Sequence, residues 1–245
     1  MTPTLTRRAS AEFTGTALLV AAVVGSGIAA ARLSPTDIGL QLLENAIATA
    51  LALGALILMF GPVSGAHFNP VVSAVDWWVG RHAGTGLTAR DLAAYVPAQV
   101  TGAIAGAVLA DLMFGLPAVT WSRTDRTGPN LWLAEIVATA GLVVLVFALA
   151  RTGRTTAAPA AVGAYIGAAY WFTSSTSFAN PAVTIGRTFT DTFAGIAPTS
   201  VPGFVAAQLA GGLVAIAALA AWYPHAGNAA DAVVVPHPTR ESETR

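Results

Sequence analysis

The sequence predicts an all-α membrane protein, built as an inverted repeat of 3+3 transmembrane helices plus two re-entrant half-helices. Three observations predict this fold: apolar stretches of bilayer length, short motifs that recur in the same order in both halves, and two Asn-Pro dipeptides that each open a shorter apolar stretch. Of the 245 residues, 55% are hydrophobic and 10% are charged. A typical soluble domain has about 25% charged residues, so we expect this chain to lie in a lipid bilayer.

The apolar stretches of bilayer length are the predicted membrane spans. Crossing the hydrocarbon core as a helix takes about 20 mainly apolar residues. Six stretches come close to this requirement, so the sequence predicts six transmembrane helices. They are 11–31, 38–60, 92–112, 131–150, 155–172 and 201–223.

Two shorter apolar pieces, 69–79 and 180–189, follow the second and the fifth span. About ten helical residues reach only halfway across the hydrocarbon core. Such a half-span is tolerated where it is buried in protein or lines a watery cavity. Each piece begins with Asn-Pro, and Asn is a favoured N-cap while Pro is favoured at the first helical position. Each dipeptide therefore predicts a helix that starts within the membrane.

The two halves share three landmarks in the same order: an Ala-Glu pair, an Asn-Pro pair and an Ala-Gln pair. The second copies follow the first by 123, 111 and 109 residues. With three spans in each repeat, the second half must be inverted in the membrane, and inverted repeats with broken helices place a site near the midplane. The landmark residues are Glu12 and Glu135, Asn69 and Asn180, and Gln99 and Gln208.

The landmarks also predict how the chain is divided. A single membrane domain is flanked by an N-terminal segment and a polar C-terminal tail, and a connecting loop joins its two repeats. The distribution of the arginines between the two sides places both termini in the cytoplasm. The predicted ranges are 1–9 for the N-terminal segment, 10–223 for the domain, about 10–112 for repeat 1, 113–130 for the loop, about 131–223 for repeat 2 and 224–245 for the tail.

Composition argues against several classes of function. The chain has no cysteine, which excludes disulfides and thiolate chemistry. Its formal net charge of zero provides no basic surface for a nucleic acid. The four histidines show no metal-ligand spacing, and no nucleophile–base set or phosphate-binding loop is evident. We therefore expect neither an enzyme nor a bound cofactor or metal.

The two half-helices are expected to meet N-terminus to N-terminus, with Asn69 and Asn180 near the centre of a pore. Each capping oxygen is held by its own helix, which leaves the NH₂ donors for the lumen. The converging positive helix ends repel cations. Together with backbone carbonyls before each Asn, these donors suit neutral, hydrogen-bonding solutes. The carbonyls are those of Gly65, Ala66, His67, Phe68, Thr176, Ser177 and Phe178.

The segments SGAHFNPV at 64–71 and FANPA at 178–182 resemble the two signature loops of the aquaporin (major intrinsic protein) family, with Val where Ala is usual in the first. The resemblance covers roughly 10–223 and implies a pore in each protomer and a homotetramer. It also implies that Glu12 and Glu135 brace the pore loops, and we interpret Gln99 and Gln208 as structural braces between helices. The motif residues are Asn69, Pro70, Val71, Asn180, Pro181 and Ala182.

One departure from the family bears on selectivity. The family normally has Arg directly after the second motif, at the outer constriction of the pore, and this chain has Val183. Arg187, about one helical turn further on, has two interpretations: it replaces the missing cation, or it is an interfacial arginine that is solvated or paired with Asp191. The sequence favours the second interpretation of Arg187.

Counting along the chain gives the other filter positions. Thr49 lies twenty residues before the first motif Asn, and Ser177 lies three residues before the second. The position in the fifth span is Tyr170, with Ala169 and Trp171 as the alternatives. Without the arginine, this set predicts a wider and less polar opening than that of a strict water channel.

The segment 172–198 is similar to bacterial aquaglyceroporin-like channels associated with arsenic-resistance operons, which also lack the filter Arg. The resemblance implies a passive channel in the inner (plasma) membrane for water, glycerol or similar polyols, urea, and neutral arsenic species such as arsenite or methylarsenicals. A strict water channel is the main alternative. An ion-coupled secondary transporter is a further one, but it would need an ionisable coupling site at the midplane.

Overall fold

A computed structural model describes residues 3–223, and within that range the chain forms eight α-helices. The predicted tail 224–245 lies outside the described residues. Short 3-10 turns lie at Thr155–Ala157, Arg187–Phe189 and Pro198–Ser200. The helices are α1 (Leu5–Leu33), α2 (Ile38–Ser64), α3 (Pro70–Gly80), α4 (Ala89–Met113), α5 (Pro129–Arg151), α6 (Ala158–Phe172), α7 (Pro181–Gly186) and α8 (Val201–Trp222).

Local capping sets where three of the long helices begin. The Thr4 side chain caps α1, so part of the predicted N-terminal segment 1–9 is helical. The carboxylate of Asp37 accepts the backbone N–H of Leu40, 2.9 Å away, at the start of α2. Thr88 begins α4 with a capping box. Polar caps of this kind satisfy backbone donors that a helix start would otherwise leave unpaired.

Within residues 3–223, five helical stretches are long and apolar enough to cross a membrane: α1, α2, α4, α5 and the run Pro198–Trp222. The predicted span 155–172 differs, because it consists of a 3-10 turn followed by the 15 residues of α6. At 1.5 Å per residue, α6 is about 22 Å long, which is shorter than a hydrocarbon core of about 30 Å.

The two halves pack in the same way. Helix α1 packs along α4, and α5 packs along α8, while α2 and α6 contact each other across the halves. The half-helix α3 packs between α4 and α8, and α7 does the same from the other half. This arrangement buries both half-helices among long helices, which is the environment that a backbone ending within the membrane requires.

The contact between α1 and α4 depends on two glycines of α4. A Cβ atom on Gly102 would overlap the backbone carbonyl oxygen of Phe13, and one on Gly106 would overlap that of Ala17. Small residues allow helix backbones to approach closely in membranes, where apolar side chains gain little by leaving lipid. The spacing of four residues places both glycines on one face of α4.

Candidate functional site

The N-termini of α3 and α7 lie together inside the bundle, and an asparagine caps each of them. The Oδ1 atom of Asn69 accepts the backbone N–H of Val71 at 2.9 Å. The Oδ1 atom of Asn180 accepts those of Ala182 at 3.0 Å and Val183 at 3.3 Å. Both asparagines are buried. Their side-chain oxygens are thus fixed by their own helices, and only their NH₂ groups can turn elsewhere.

The two asparagines also connect the halves of the chain. The Nδ2 atom of Asn69 donates to the carbonyl of Ala179, and that of Asn180 donates to the carbonyl of Phe68, both at 2.7 Å. Each NH₂ group carries two N–H donors. One donor of each asparagine therefore bonds to the opposite loop, so the expectation that both donors point into the lumen is wrong. The second donor of each asparagine remains available.

The loops before the two asparagines share an uncommon backbone conformation. Four non-glycine residues have φ between 49° and 51°, at positions related by the 111-residue repeat. Left-handed backbone of this kind costs on the order of 1–3 kcal/mol at each residue unless the surroundings stabilise it. The four residues are Ala66, Phe68, Ser177 and Ala179.

Glu12 supports the first of these loops. Its Oε1 atom accepts the Ser64 hydroxyl at 2.6 Å and the backbone N–H of His67 at 3.0 Å. Its Oε2 atom accepts the backbone N–H of Phe68 and the side-chain amide of Gln99, both at 2.7 Å. Glu12 is completely buried, so these four bonds replace the water that the carboxylate has lost.

Glu135 supports the second loop with the same pattern. Its Oε1 atom accepts the Ser175 hydroxyl at 2.6 Å and the backbone N–H of Phe178 at 2.9 Å. Its Oε2 atom accepts the backbone N–H of Ala179 at 2.8 Å and the amide of Gln208 at 2.7 Å. Because each oxygen already accepts two bonds, neither glutamate has a vacant acceptor position for a coupling ion.

The two glutamines extend the support to the half-helices. Gln99 also donates to the Ser73 hydroxyl of α3 at 2.9 Å, and Gln208 also donates to the Thr184 hydroxyl of α7 at 2.8 Å. Each glutamine thus uses both donors of its NH₂ group to hold a carboxylate and a half-helix together.

A cavity runs past the two helix starts. The space open to the centre of a water molecule is about 60 Å³, and one water needs roughly 10–15 Å³ on that measure, so the cavity has room for several waters. Asn69 and Asn180 both line it. Most of its wall is apolar and comes from Leu19, Val23, Leu53, Ile57, Val72, Leu142, Val146, Val162 and Ile166.

Sequence reasoning missed this apolar wall because its residues belong to no motif. The repeat spacing was the available signal. Leu19 and Val23 recur 123 residues later as Leu142 and Val146, and all four line the cavity. Of the predicted carbonyl-bearing residues, Gly65 and Thr176 are not part of the cavity wall, whereas Ala66, His67, Phe68, Ser177 and Phe178 are.

Ser177, Val183 and Arg187 line the cavity from α7 and from the segments on either side of it. Thr49 and Tyr170 line it from α2 and α6, with their hydroxyls 3.2 Å apart. We call this set of five residues the α7 end of the cavity. Within residues 3–223, the buried hydroxyl of Ser177 has no hydrogen-bond partner, so it is free to contact a molecule in the cavity.

The three candidates for the filter position of the fifth span occupy different environments. Tyr170 lines the cavity. Ala169 is fully buried outside the cavity wall, and Trp171 is 51% exposed on the surface of the bundle. The geometry therefore favours Tyr170 as the residue of α6 that a solute would meet.

Arg187 points inward rather than towards solvent. It is 2% exposed, and its guanidinium lies 3.5 Å from the ring centroid of Phe178. Its Nε atom donates to the carbonyl of Ala194. These contacts hold the guanidinium in the cavity wall, one turn beyond Val183.

The connecting loop between α4 and α5 folds onto the segment that follows α7. The backbone N–H of Ser122 donates to the carbonyl of Thr188 at 3.0 Å. The backbone N–H and the guanidinium of Arg123 both donate to the carboxylate of Asp191 at 2.9 Å. The backbone bond, followed by the guanidinium bond, lowers the pKa of Asp191. Asp191 is therefore the partner of Arg123, and the interpretation of Arg187 as a solvated residue or as the partner of Asp191 is wrong.

Of the histidines that the structure describes, His67 lines the cavity. Its Nδ1 atom lies 3.1 Å from the Ser73 hydroxyl, and its ring meets the edge of Tyr95. Among the described residues, no three His, Asp or Glu side chains are grouped closely enough to hold a metal ion. The chemistry of the cavity therefore rests on hydrogen-bond donors, acceptors and apolar surface.

Known proteins resemble this chain over most of its length. The model of the family described as major intrinsic protein matches residues 1–178. The aquaglyceroporin AqpS of Rhizobium meliloti (strain 1021) is 57% identical over 213 residues, covering 87% of this chain and 88% of that protein. The glycerol uptake facilitator protein of Pseudomonas aeruginosa is 30% identical over 234 residues, covering 82% and 80%. The solved aquaglyceroporin from Plasmodium falciparum shares the fold, with a TM-score of 0.60 at 18% identity over 87% of this chain and 95% of that one.

Proposed function

Because the chain belongs to the major intrinsic protein family, we propose that it conducts glycerol and similar small polyols, together with water, across the inner membrane. It is a passive channel for small neutral solutes and not an enzyme. The finer proposal concerns which solutes pass and which residues select them.

The observation that carries the proposal is the chemistry of the α7 end. Val183 presents methyl groups at the position directly after the second motif, and Ser177, which also lines the cavity, has a hydroxyl without a partner among residues 3–223. A polyol has both an apolar carbon face and a hydroxyl face. One side of the opening can contact the carbons while a hydroxyl on the other side exchanges hydrogen bonds with the solute. We assign the filter to Thr49, Tyr170, Ser177 and Val183.

The helix starts supply the next contacts along the path. One N–H donor each of Asn69 and Asn180 remains after their bonds across the halves, and these donors can bind the oxygen of a passing solute. The positive ends of α3 and α7 disfavour cations at the same place. The apolar wall offers no competing partners, so a solute would exchange hydrogen bonds only at a few points and would not be held tightly.

The proposal extends to urea and to neutral arsenic species such as arsenite and methylarsenicals. Arsenous acid is uncharged at neutral pH and carries three hydroxyl groups, as glycerol does. A site that recognises hydroxyls beside an apolar face would therefore accept both. The resemblance of the segment 172–198 to channels associated with arsenic-resistance operons supports this extension.

We further propose that the protein is a homotetramer with both termini in the cytoplasm. Large apolar side chains of α2 and α8 are exposed on the single chain, among them Leu51 at 71% and Leu213 at 68%, and such surface requires lipid or a neighbouring protomer to cover it. The arginine distribution supports the orientation. Native mass spectrometry of the purified protein and protease protection of a C-terminal tag in inverted vesicles test these two statements.

Stopped-flow swelling of proteoliposomes tests the solute proposal. Inward gradients of glycerol, urea and arsenous acid should each produce swelling faster than in protein-free vesicles, and osmotic shrinkage should report water. Rapid water flux without any solute flux would identify a strict water channel instead. Accumulation of a solute against its gradient, driven by protons or sodium, would identify a coupled transporter.

A further inference from the structure

The α7 end of the cavity contains a guanidinium with unused donors. The Nε atom of Arg187 bonds to the carbonyl of Ala194, but its two terminal nitrogens have no hydrogen-bond partner among residues 3–223. Within the same range, the carboxylates that form ion pairs are Asp91, with Arg8, and Asp191, with Arg123. Among residues 3–223, no carboxylate therefore lies within ion-pair distance of the Arg187 guanidinium, and the buried Glu135 and Arg126 act on its charge only from further away.

The position of this guanidinium is fixed by its surroundings. The ring of Phe178, 3.5 Å away, packs against Phe204 with centroids 5.1 Å apart, and Ile196 completes this cluster. All three apolar residues are buried. A rigid aromatic platform and a backbone carbonyl hold the planar group in one orientation, so it loses little conformational freedom when it binds another molecule.

We infer that Arg187 supplies the fixed cation of the channel mouth, where it donates hydrogen bonds to the acceptor oxygen of neutral solutes and repels cations. This inference rests on the proposed function, because it concerns solutes that pass the same opening. A guanidinium is protonated at neutral pH and has donors but no acceptor. It therefore favours a carbonyl or hydroxyl oxygen and disfavours a second positive charge.

A second arginine provides the matched control. The guanidinium of Arg126 lies 5.2 Å from the same Phe178 ring, and its Nε atom donates to the carbonyl of Gly195 at 2.9 Å. Arg126 does not line the cavity. The two arginines thus hold neighbouring parts of one loop, and only Arg187 faces the solute path.

Urea and guanidinium are the appropriate probes, because they are planar and similar in size but differ in charge. Purified wild type and the variants Arg187→Gln, Arg187→Lys and Arg126→Gln are reconstituted, and uptake of both probes is measured. Wild type should admit urea and exclude guanidinium. Arg187→Gln should raise the guanidinium-to-urea ratio by roughly tenfold or more, because the repulsion between unit charges a few ångströms apart in a partly desolvated site exceeds the energy of a factor of ten. Arg187→Lys should keep the exclusion, and Arg126→Gln should leave the ratio unchanged.

Two results would overturn the inference. Equal changes in Arg187→Gln and Arg126→Gln would show that both residues act only by holding the loop, and no change in Arg187→Gln would show that the cation is not used. If the variants do not fold, uptake by the wild-type protein still tests the inference. Wild-type uptake of guanidinium as fast as that of urea would rule it out. Wild type that passes neither urea nor glycerol would instead refute the proposed function, and the inference with it.

Discussion

The hydroxyl of Thr49 on α2 lies 3.2 Å from the hydroxyl of Tyr170 on α6, inside the cavity. Either group can donate, and both are buried. The bond joins residues from the two halves of the chain and satisfies one polar group of each. It therefore leaves Ser177 as the hydroxyl at this end without a protein partner among the described residues.

Replacing Tyr170 with Phe should remove this bond without changing the shape of the wall. The free energy of unfolding should fall by about 1 kcal/mol, the usual net value of one hydrogen bond. The Thr49 hydroxyl becomes available to solutes, so the ratio of glycerol to water permeability should rise several-fold in stopped-flow assays. Tyr165→Phe is the control, because Tyr165 bonds to the carbonyl of Ala138 at 3.1 Å and does not line the cavity. An equal change of the permeability ratio in both variants would contradict the prediction.

The glutamates that support the loops should be needed for stability at both positions. In Glu12→Gln or Glu135→Gln, an NH₂ group replaces an oxygen that accepts two bonds, so donors face donors. Each substitution should lower the free energy of unfolding by about 3 kcal/mol or more, because buried bonds to a charged acceptor are lost. Thermal unfolding followed by tryptophan fluorescence measures this loss.

Glu44→Gln is the control for these substitutions. Glu44 is only partly buried and accepts one bond, from the Ser34 hydroxyl at 2.8 Å, so its replacement should change stability little. The loops are held by other contacts if Glu12→Gln and Glu135→Gln unfold at the same thermal midpoint as Glu44→Gln.

The starts of the two half-helices could be predicted from the sequence because an Asn-Pro pair acts locally. The sequence predicts helical pieces at 69–79 and 180–189, and helices begin at Pro70 and Pro181. The bonds from Asn69 to Ala179 and from Asn180 to Phe68 could not be predicted in this way. They join loops more than a hundred residues apart. Their acceptors are backbone carbonyls, which every residue type has, so the sequence does not indicate them.

The inward orientation of Arg187 could not be predicted from the sequence for a related reason. Helix α7 ends after six residues and continues as a 3-10 turn, which has three residues per turn and changes the side-chain directions. The inward position also needs the carbonyl of Ala194 and the ring of Phe178. The sequence pattern instead offered Asp191 as a nearby opposite charge, and that carboxylate is bound by Arg123.

Gly106 should not tolerate a larger side chain. In Gly106→Val the new side chain would meet the backbone carbonyl of Ala17 on α1, so the two helices would have to separate along their contact. Overpacking of this kind usually costs about 1–3 kcal/mol, and the thermal midpoint should fall accordingly. Leu109→Val, at an exposed position of the same helix, should have little effect. A variant Gly106→Val with the wild-type midpoint would show that α1 and α4 do not need this approach.

The identity of residue 183 should decide how large a solute can pass. Val183 is buried in the wall one turn from Arg187, so Val183→Arg would add a second guanidinium and fill part of the opening. Glycerol and urea permeability should fall about tenfold or more, because each solute must pass a narrower opening and compete with water for the added donors. A tenfold fall corresponds to a barrier that is higher by about 1.4 kcal/mol. Water permeability should fall much less.

Two further variants separate size from charge. Val183→Met adds length without charge, so it should reduce glycerol permeability less than Val183→Arg does. Val183→Arg combined with Arg187→Gln restores a single guanidinium, now one turn deeper, and should conduct water while still excluding glycerol. If Val183→Arg leaves glycerol flux intact while Arg187→Gln alters selectivity, residue 183 does not form the constriction, and the filter lies one turn further along the chain.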